Sequence, residues 1–203
     1  MPPSLAAPGA EPEEQGAWVV RSTVLPTARR SWTLLRQPGR LVRVVHLRVL
    51  TTDDWPLWRD VRLAALTEAP RSFKSRLEDW PCGGEERWRA RLAMPEAHNL
   101  VAFLRGQAVG MASGLPVDGD TCELRSVWVS PVARGCGVGD LLVAEVEAWA
   151  RRWGATTLRL AVIPGNEPAV TLYQRHGFDF SGEVGGLVSP DGVRERVMAK
   201  TLR

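Results

Sequence analysis

From residue 41 onward, two hydrophobic periods divide the chain into strands and helices. The run LVRVVHLRVL is β-branched and partly alternating, which predicts a strand. WPLWRDVRLAALTEA repeats apolar residues at helical spacing, and EERWRARLAMP predicts a second helix that ends before Pro95. Two apolar runs around Arg105-Gly106-Gln107 predict a hairpin, and TCELRSVWVS predicts the next strand.

The second half of the chain alternates strands with helices. One helix face carries a row of apolar residues, and Gly154 ends this helix: Val138, Leu142, Val146, Trp149 and Trp153. TTLRLAVI then predicts a strand, NEPAVTLYQRHG a helix, and FDFSGEV and RERVMAKTLR two final strands. The order β-α-α-β-β-β-α-β-α-β-β predicts a mixed α/β or α+β sheet, not a fully alternating doubly wound one.

The first 42 residues have a different pattern, because six prolines interrupt them. Residues 1–45 hold six arginines and three glutamates. Since the whole chain has 26 basic and 23 acidic groups, the other residues carry 20 of each. We therefore predict a disordered basic N-terminal extension over residues 1–42 and one folded domain over residues 43–203. A charge-balanced domain is not expected to bind nucleic acid.

Two further features limit the class of protein. No stretch approaches the roughly 18 to 20 apolar residues that a membrane span needs, so no membrane partner is expected. Cys82, Cys122 and Cys136 are odd in number and lack metal-ligand spacing. This suits a reducing cytosol and indicates neither a disulfide framework nor a metal site. We expect a cytoplasmic protein.

The segment RGCGVG, residues 134–139, stands directly before a helix. Amides at a helix start have no intrahelical partner, and glycine lets an anion approach them. This predicts a phosphate cradle, with Arg134 as an additional cation. Gly139 is followed by Asp140 and Leu141, so the P-loop pattern fails, and the third glycine of the dinucleotide pattern is missing. The spacing alone leaves the alternative that this turn has only a structural role.

The surrounding residues resemble a known family. VWVSPVARGCGVGDLL is similar to the acyl-CoA loop of the GCN5-related N-acetyltransferase (GNAT) superfamily, whose pattern is Arg/Gln-x-x-Gly-x-Gly/Ala after a strand and V-x-P. NEPAVTLYQRHGF is similar to the family's Asn-x-x-Ala-x-x-Leu-Tyr-x-x-x-Gly-Phe. Both motifs stand in the family's order, and the resemblance covers roughly residues 43–203. It implies a mostly antiparallel, twisted central sheet with splayed strands, flanked by about four helices.

The resemblance also implies an activity and a binding site. The activity is N-acetyl transfer from acetyl-CoA, by direct attack of an amine in a ternary complex, without a metal. The amides of residues 136–140 would hold the diphosphate, and the backbone of strand residues 126–129 would bond the pantetheine arm. The implied cofactor-binding residues are Val127, Trp128, Val129, Arg134, Gly135, Cys136, Gly137, Val138, Gly139, Asp140 and Asn166.

Two side chains are candidates for proton transfer. Tyr173, the only tyrosine in the chain, stands where the family has a tyrosine that protonates the departing thiolate. An attacking amine is mostly protonated at pH 7 and has to lose a proton. Glu123 stands where many relatives have a general base, although a salt-bridged carboxylate is the alternative reading. Weaker candidates for the base are His98, Asp118 and Asp120.

The acceptor is expected to be a small primary amine, with a protein amine or a non-catalytic acyl-CoA-binding module as alternatives. The first two helices and their loop are rich in tryptophans and acids, which would suit a cationic amine, although ordinary packing is the alternative. These residues are Trp55, Trp58, Trp80, Trp88, Glu78, Asp79, Glu85 and Glu86. Arg175 could reach a CoA phosphate or be a plain surface charge, and a homodimer is left open.

Overall fold

A computed structural model describes residues 19–24, 29–35, 43–80 and 84–202. These residues form a nine-stranded sheet and four α-helices. The strands are β1 (Val19–Val24), β2 (Arg29–Leu35), β3 (Arg43–Val49), β4 (His98–Leu104), β5 (Gln107–Asp118), β6 (Thr121–Val129), β7 (Thr157–Val162), β8 (Asp179–Leu187) and β9 (Arg194–Thr201). The helices are α1 (Trp55–Glu68), α2 (Gly84–Leu92), α3 (Val138–Trp153) and α4 (Glu167–Arg175). Among these residues, no helix has the length and apolar character needed to cross a membrane.

The sheet is mixed, as the sequence predicts. Its strand order is β1-β2-β3-β4-β5-β6-β7-β9-β8. Neighbouring strands are antiparallel, except that β6 and β7 run parallel. From β3 to β9, the order of strands and helices is the predicted one.

Local sequence signals account for several element ends. Asp54 accepts a hydrogen bond from the Thr51 amide at 2.9 Å just before α1, and Pro56 occupies the first turn of that helix. The β4–β5 hairpin turns at Arg105 and Gly106, which have positive φ angles of 53° and 79°. Two successive residues with positive φ are typical of the two-residue turns that match strand twist.

Strands β1 and β2 lie within the segment predicted to be disordered. VVRSTV and RRSWTLL are rich in β-branched and apolar residues, and Pro26 falls between them in the sequence. β2 pairs with β3 from Arg29 opposite Arg48 to Leu34 opposite Arg43. The structure therefore has strands at these two places, where the sequence predicted disorder. The other residues of the extension lie outside the described residues, and the boundary at residue 42 stays a prediction.

Helices cover both faces of the sheet, so the fold has three layers. On one face, α3 buries Leu142 and Val146 against strand residues such as Leu158 and Leu160. On the other face, α1 and α2 form a second apolar cluster with β5 and β6, composed of Leu50, Trp58, Val61, Ala65, Trp88, Leu92, Val101, Met111 and Trp128. The sheet residues of these two clusters are buried between the layers, which fixes the strands that carry the site.

The parallel strands β6 and β7 diverge part-way along their length. They pair only from Thr121 opposite Thr157 to Leu124 opposite Leu160, although both strands continue further. Next to this point, β6 contains one residue more than β5 between two paired positions, and Ser126 has a φ of 56°. Such a bulge bends a strand and increases its twist. The end of β6 therefore has a backbone edge that β7 does not cover.

Candidate active site

The glycine turn ends in a left-handed residue at the start of α3. Gly137 has φ 76° and ψ 5°, and the first bond inside the helix runs from the Leu141 amide to the Gly137 carbonyl at 3.1 Å. The amides of Val138, Gly139 and Asp140 therefore precede the hydrogen-bonded part of the helix and point out of its start. The Cys136 amide, expected among the donors, instead donates to the Ala133 carbonyl at 3.3 Å within the preceding turn.

Close packing accompanies this turn. A Cβ on Gly139 would lie 3.1 Å from Leu172 Cδ2 of α4, so the start of α3 lies directly against that helix. Cys136 is buried, and its Sγ lies 3.6 Å from the Arg134 carbonyl. The cysteine side chain therefore belongs to the core under the turn.

Arg134 bridges the end of β6 and the end of α1. Its Nη2 donates to Glu68 Oε2 at 2.7 Å, and its Nε donates to the Val129 carbonyl at 3.2 Å. Glu68 Oε2 also accepts a bond from the Trp128 indole at 3.0 Å. The guanidinium predicted as an additional phosphate cation thus holds the strand end beside the turn. The Trp128 side chain faces α1, so only its backbone lies on the strand edge.

Asp140, in the first turn of α3, is paired with the end of α4. It accepts bonds from Arg175 Nη2 at 2.8 Å and from His176 Nε2 at 3.1 Å. The bonds from His176 and Arg175 hold the pKa of the Asp140 carboxyl below its usual value, although partial burial opposes them. Arg175 therefore neutralises an acidic side chain next to the turn.

The free edge of β6 presents backbone groups to the splay. Val129 lies opposite Gly110 of β5, and the neighbouring Ser130 amide donates to the Val109 carbonyl at 2.8 Å. In an antiparallel ladder, this pattern directs the N–H and C=O of Val129 away from β5. Val127, the other residue chosen from the sequence for backbone pairing, lies in the bulge between the pairs Met111–Trp128 and Ser113–Arg125.

A cavity of about 560 Å³ opens between the diverging strands and the α1–α2 layer. It brings together four residues that the sequence analysis selects from distant positions: Glu123, Val127, Asn166 and Tyr173. The remaining lining residues are Trp58, Arg62, Ser72, Phe73, Lys74, Ser75, Trp80, Arg91, Leu124, Arg125, Ser126, Ala161, Val162, Ile163, Ala169 and Glu195. The glycine turn is not part of this lining, and β6 connects the two parts of the site.

Tyr173 projects from α4 into the wall of the cavity. The side chain is buried and packs edge-on against Phe178, with ring centroids 6.1 Å apart. Burial raises the pKa of Tyr173, so the phenol keeps its proton at neutral pH. At the other end of α4, Asn166 caps the helix by accepting a 3.4 Å bond from the Ala169 amide.

Glu123 lies on the cavity wall as a paired carboxylate. Its Oε1 accepts a 2.6 Å bond from Arg125 Nε, and its Oε2 accepts a 3.0 Å bond from Arg125 Nη2. Arg159 Nε lies 3.5 Å from Oε2. The salt-bridged state, considered as the alternative, is therefore present. Each carboxylate oxygen has two acceptor sites, so these bonds leave capacity for a proton.

The weaker base candidates do not line the cavity. His98 is buried beside α3, where its Nε2 lies 3.6 Å from Glu145 and its ring stacks on Trp149. Asp120 pairs with Thr156, and Asp118 is the last residue of β5, so both lie in the turn before β6, whereas the splay is at the end of that strand.

The cavity does not contain the acidic residues that were expected to bind the acceptor. Trp58 and Trp80 line it, but Trp55, Trp88 and the four acids do not. Glu85 pairs with Arg89, and Asp79 accepts a bond from the Arg76 amide, so these acids stabilise local structure. In their place, the lining has four cations that the sequence analysis missed: Arg62, Lys74, Arg91 and Arg125. Arg62 had one signal, because it lies four residues after Trp58 and three before Ala65, on the buried face of α1.

Comparison with known proteins identifies the family. The model of the acetyltransferase (GNAT) family matches residues 58–178, which is more than half of the chain. The chain belongs to the acetyltransferase (GNAT) family. This GNAT protein is therefore an acetyltransferase of a family that uses acetyl-CoA, and the predicted fold class is confirmed. Its cytoplasmic location stays a prediction, and its oligomeric state stays open.

Relatives agree with this assignment and differ in their named substrates. The GNAT protein is 28% identical over 133 residues to “Putative phosphinothricin acetyltransferase YwnH” of Bacillus subtilis, covering 66% of this chain and 78% of the relative. A GCN5-related N-acetyltransferase structure from Kribbella flavida superposes with a TM-score of 0.63 at 25% identity, over 78% of this chain and 98% of that one. A ribosomal-protein-alanine N-acetyltransferase structure from Brucella melitensis superposes with a TM-score of 0.61 at 26% identity, over 77% of this chain and 99% of that one.

Proposed function

We propose that this GNAT enzyme acetylates the primary amine of a small molecule, which it binds in the cavity beside Glu123 and Tyr173. The observation that carries the proposal is the cavity itself. Its volume of about 560 Å³ lies within the roughly 300 to 1,000 Å³ that is usual for small-ligand sites. The family's thioester donor would bind along β6 and the start of α3, and its pantetheine arm would share the cavity at Val127 and Asn166.

An ion pair across the cavity supports a small acceptor. Lys74, in the loop after α1, pairs with Glu195 of β9 at 2.6 Å, and both residues line the cavity. The Lys74 ammonium also lies against the backbone of Gly186 in β8. A peptide would need an open groove here, whereas this bridge joins the loop to the β8–β9 hairpin. A free small molecule fits beneath such a bridge.

The backbone around the splay suits the donor. The amides of Val138, Gly139 and Asp140 would hold the diphosphate, because they lie at the positive end of the helix dipole. The Val127 and Val129 amides, together with Asn166, would bond the pantetheine arm as a partner strand does. Arg134 keeps the end of β6 in place through its bond to the Val129 carbonyl.

Acetyl-CoA supplies the acetyl group as a thioester. The amine nitrogen would form a bond to the carbonyl carbon while the carbon–sulfur bond breaks. The proton of the amine would pass to Glu123, directly or through water, and the Tyr173 hydroxyl would protonate the sulfur. The Val127 N–H would polarise the carbonyl oxygen. The products are an N-acetyl amide and the free thiol of CoA, and solvent returns the proton to the phenol.

Thiol release from acetyl-CoA tests the proposal with two matched acceptor sets. One set contains small primary amines, and the other contains peptides with free N-termini, which represent the activity named for the Brucella structure. We expect turnover of small amines with kcat/KM well above that of any peptide. Turnover of peptides alone would overturn the small-molecule assignment. Binding of CoA without turnover of either set would instead indicate a non-catalytic module.

The Tyr173→Phe variant tests the role of the phenol in the same assay. It removes one oxygen and keeps the packing against Phe178. We expect kcat to fall about 100-fold or more, since general acid catalysis contributes roughly 10² to 10⁴. CoA affinity, measured by calorimetry, should stay at the wild-type value. An unchanged kcat would assign the proton transfer to another group.

A further inference from the structure

Three buried hydrogen-bond donors in the cavity lining have no partner among the described residues. They are the indole nitrogens of Trp58 and Trp80 and Nη1 of Arg62. Indole and guanidinium groups only donate hydrogen bonds. A buried donor without an acceptor costs roughly 1 to 3 kcal/mol, so each such group calls for an explanation. All three residues lie on the α1–α2 side of the cavity, although these nitrogens themselves have almost no accessible surface.

The charges of the lining residues also favour the binding of an anionic group. Four cations and two carboxylates line the cavity, which leaves an excess of two positive charges. Lys74 pairs with Glu195, and Arg125 pairs with Glu123. Arg62 and Arg91 have no carboxylate partner among the described residues, although Arg91 Nη1 lies 2.8 Å from Met94 Sδ. The unpaired positive charge is therefore on the same wall as the unpaired donors.

Arg62 has the surroundings of a binding residue more than of a surface charge. Only 6% of its surface is exposed. Its guanidinium carbon lies 4.5 Å from the ring centre of Phe73 and 5.7 Å from that of Trp80, and both rings line the cavity. These rings fix the guanidinium plane but do not satisfy its N–H groups. Burial, followed by the charge of Arg91, lowers the pKa of Arg62 to about 10.

We propose that the acceptor carries a carboxylate as well as its amine, and is thus a small amino acid. Arg62 and Arg91 bind the carboxylate. The carboxylate is thereby anchored on the α1–α2 wall, and the amine faces Glu123 and Tyr173 on the opposite wall. This inference rests on the proposed acetylation of a small molecule and names its substrate class.

The test compares each amino acid with two probes that lack the carboxylate: its carboxamide and its decarboxylated amine. We expect kcat/KM to fall about tenfold to a hundredfold for both probes, because charge-assisted hydrogen bonds are lost. Equal turnover of all three compounds would overturn the carboxylate site and leave small-amine acetylation intact. Turnover of peptides alone would overturn both proposals together.

Substitution of Arg62 provides the second arm. Arg62→Met should raise KM for the amino acid about tenfold or more and change the kinetics of the decarboxylated amine much less. Arg62→Lys, which keeps the charge but loses the planar fork, should recover part of this loss. Arg87→Met is the matched control, since Arg87 also stacks on Trp80, at 5.1 Å, but is exposed and does not line the cavity. An equal effect of Arg62→Met and Arg87→Met on KM would overturn the inference.

Discussion

The left-handed conformation of Gly137 allows a direct test of the diphosphate cradle. At φ 76° and ψ 5°, an alanine is disfavoured by roughly 1 to 2 kcal/mol. In a domain of this size, 1 kcal/mol corresponds to about 2 to 4 °C, so Gly137→Ala should lower Tm by about 2 to 8 °C. If φ instead relaxes to a negative value, the first-turn amides of α3 turn away from the diphosphate. Loss of one charge-assisted hydrogen bond then weakens CoA binding by about tenfold or more.

Gly192→Ala is the matched control for this strain. Gly192 has φ 86°, lies in the turn between β8 and β9, and would place its Cβ more than 4 Å from any neighbour. It should lose a similar amount of stability and keep the wild-type affinity for CoA. Thermal denaturation and calorimetric titration with CoA on both variants give the two numbers. If both variants bind CoA like the wild type while losing equal stability, the cradle is not at Gly137 and the reasoning fails.

Three further variants test separate parts of the structure. Glu123→Gln keeps the shape but cannot take a proton, so kcat should fall about 100-fold or more with little change in KM for acetyl-CoA; an unchanged kcat would point to another base. Because His176 and Arg175 lower the pKa of Asp140, its stabilising effect exists above the ordinary value of 3.8 and is lost as the pH falls. In Asp140→Asn, the free energy of unfolding should therefore fall less between pH 7 and pH 3 than in the wild type, as measured by urea titrations at both pH values. The same fall in both proteins would argue against this role of Asp140. Gly114→Ala would place a Cβ 2.5 Å from Trp149 Cζ3, and should lower the free energy of unfolding by about 1 to 3 kcal/mol; wild-type stability would mean that the ring moves freely.

The fold from β3 onward was predictable because the hydrophobic periods of its strands and helices are clear and because proline or glycine stands between these elements. The N-terminal strands were not predicted, since the proline count of the segment outweighed the β-branched pattern of VVRSTV. The cause of the splay could not be predicted from the sequence either. Ser126 adopts a positive φ, which residues other than glycine seldom do, so no sequence signal indicates the bulge.

The candidate site was predictable where backbone and motif spacing determine it. Tyr173, Asn166 and Val127 reach one cavity because α4 and the end of β6 flank the same splay. The acceptor wall was not predictable in this way. Whether an acid lines a cavity or pairs with a distant cation depends on tertiary geometry, as Glu195 and Lys74 show. The same holds for Arg62, whose lack of a partner is visible only in three dimensions.

One electrostatic arrangement is common to both parts of the site. Beside the glycine turn, the acids Glu68 and Asp140 are each paired with a cation, and in the cavity the same is true of Glu123 and Glu195. The groups left to bind ligands are therefore N–H donors, both in the first turn of α3 and on the α1–α2 wall. Such a site attracts anionic oxygens at each end.

This charge distribution also bears on the attacking amine between the two ends. A like charge nearby disfavours the charged form of a group. The excess of positive charge around the cavity would thus lower the pKa of a bound ammonium and make its proton easier to remove. A base whose oxygens are already bonded to Arg125 then takes the proton from a stronger acid. The arginines that hold the carboxylate would in this way also prepare the amine for attack.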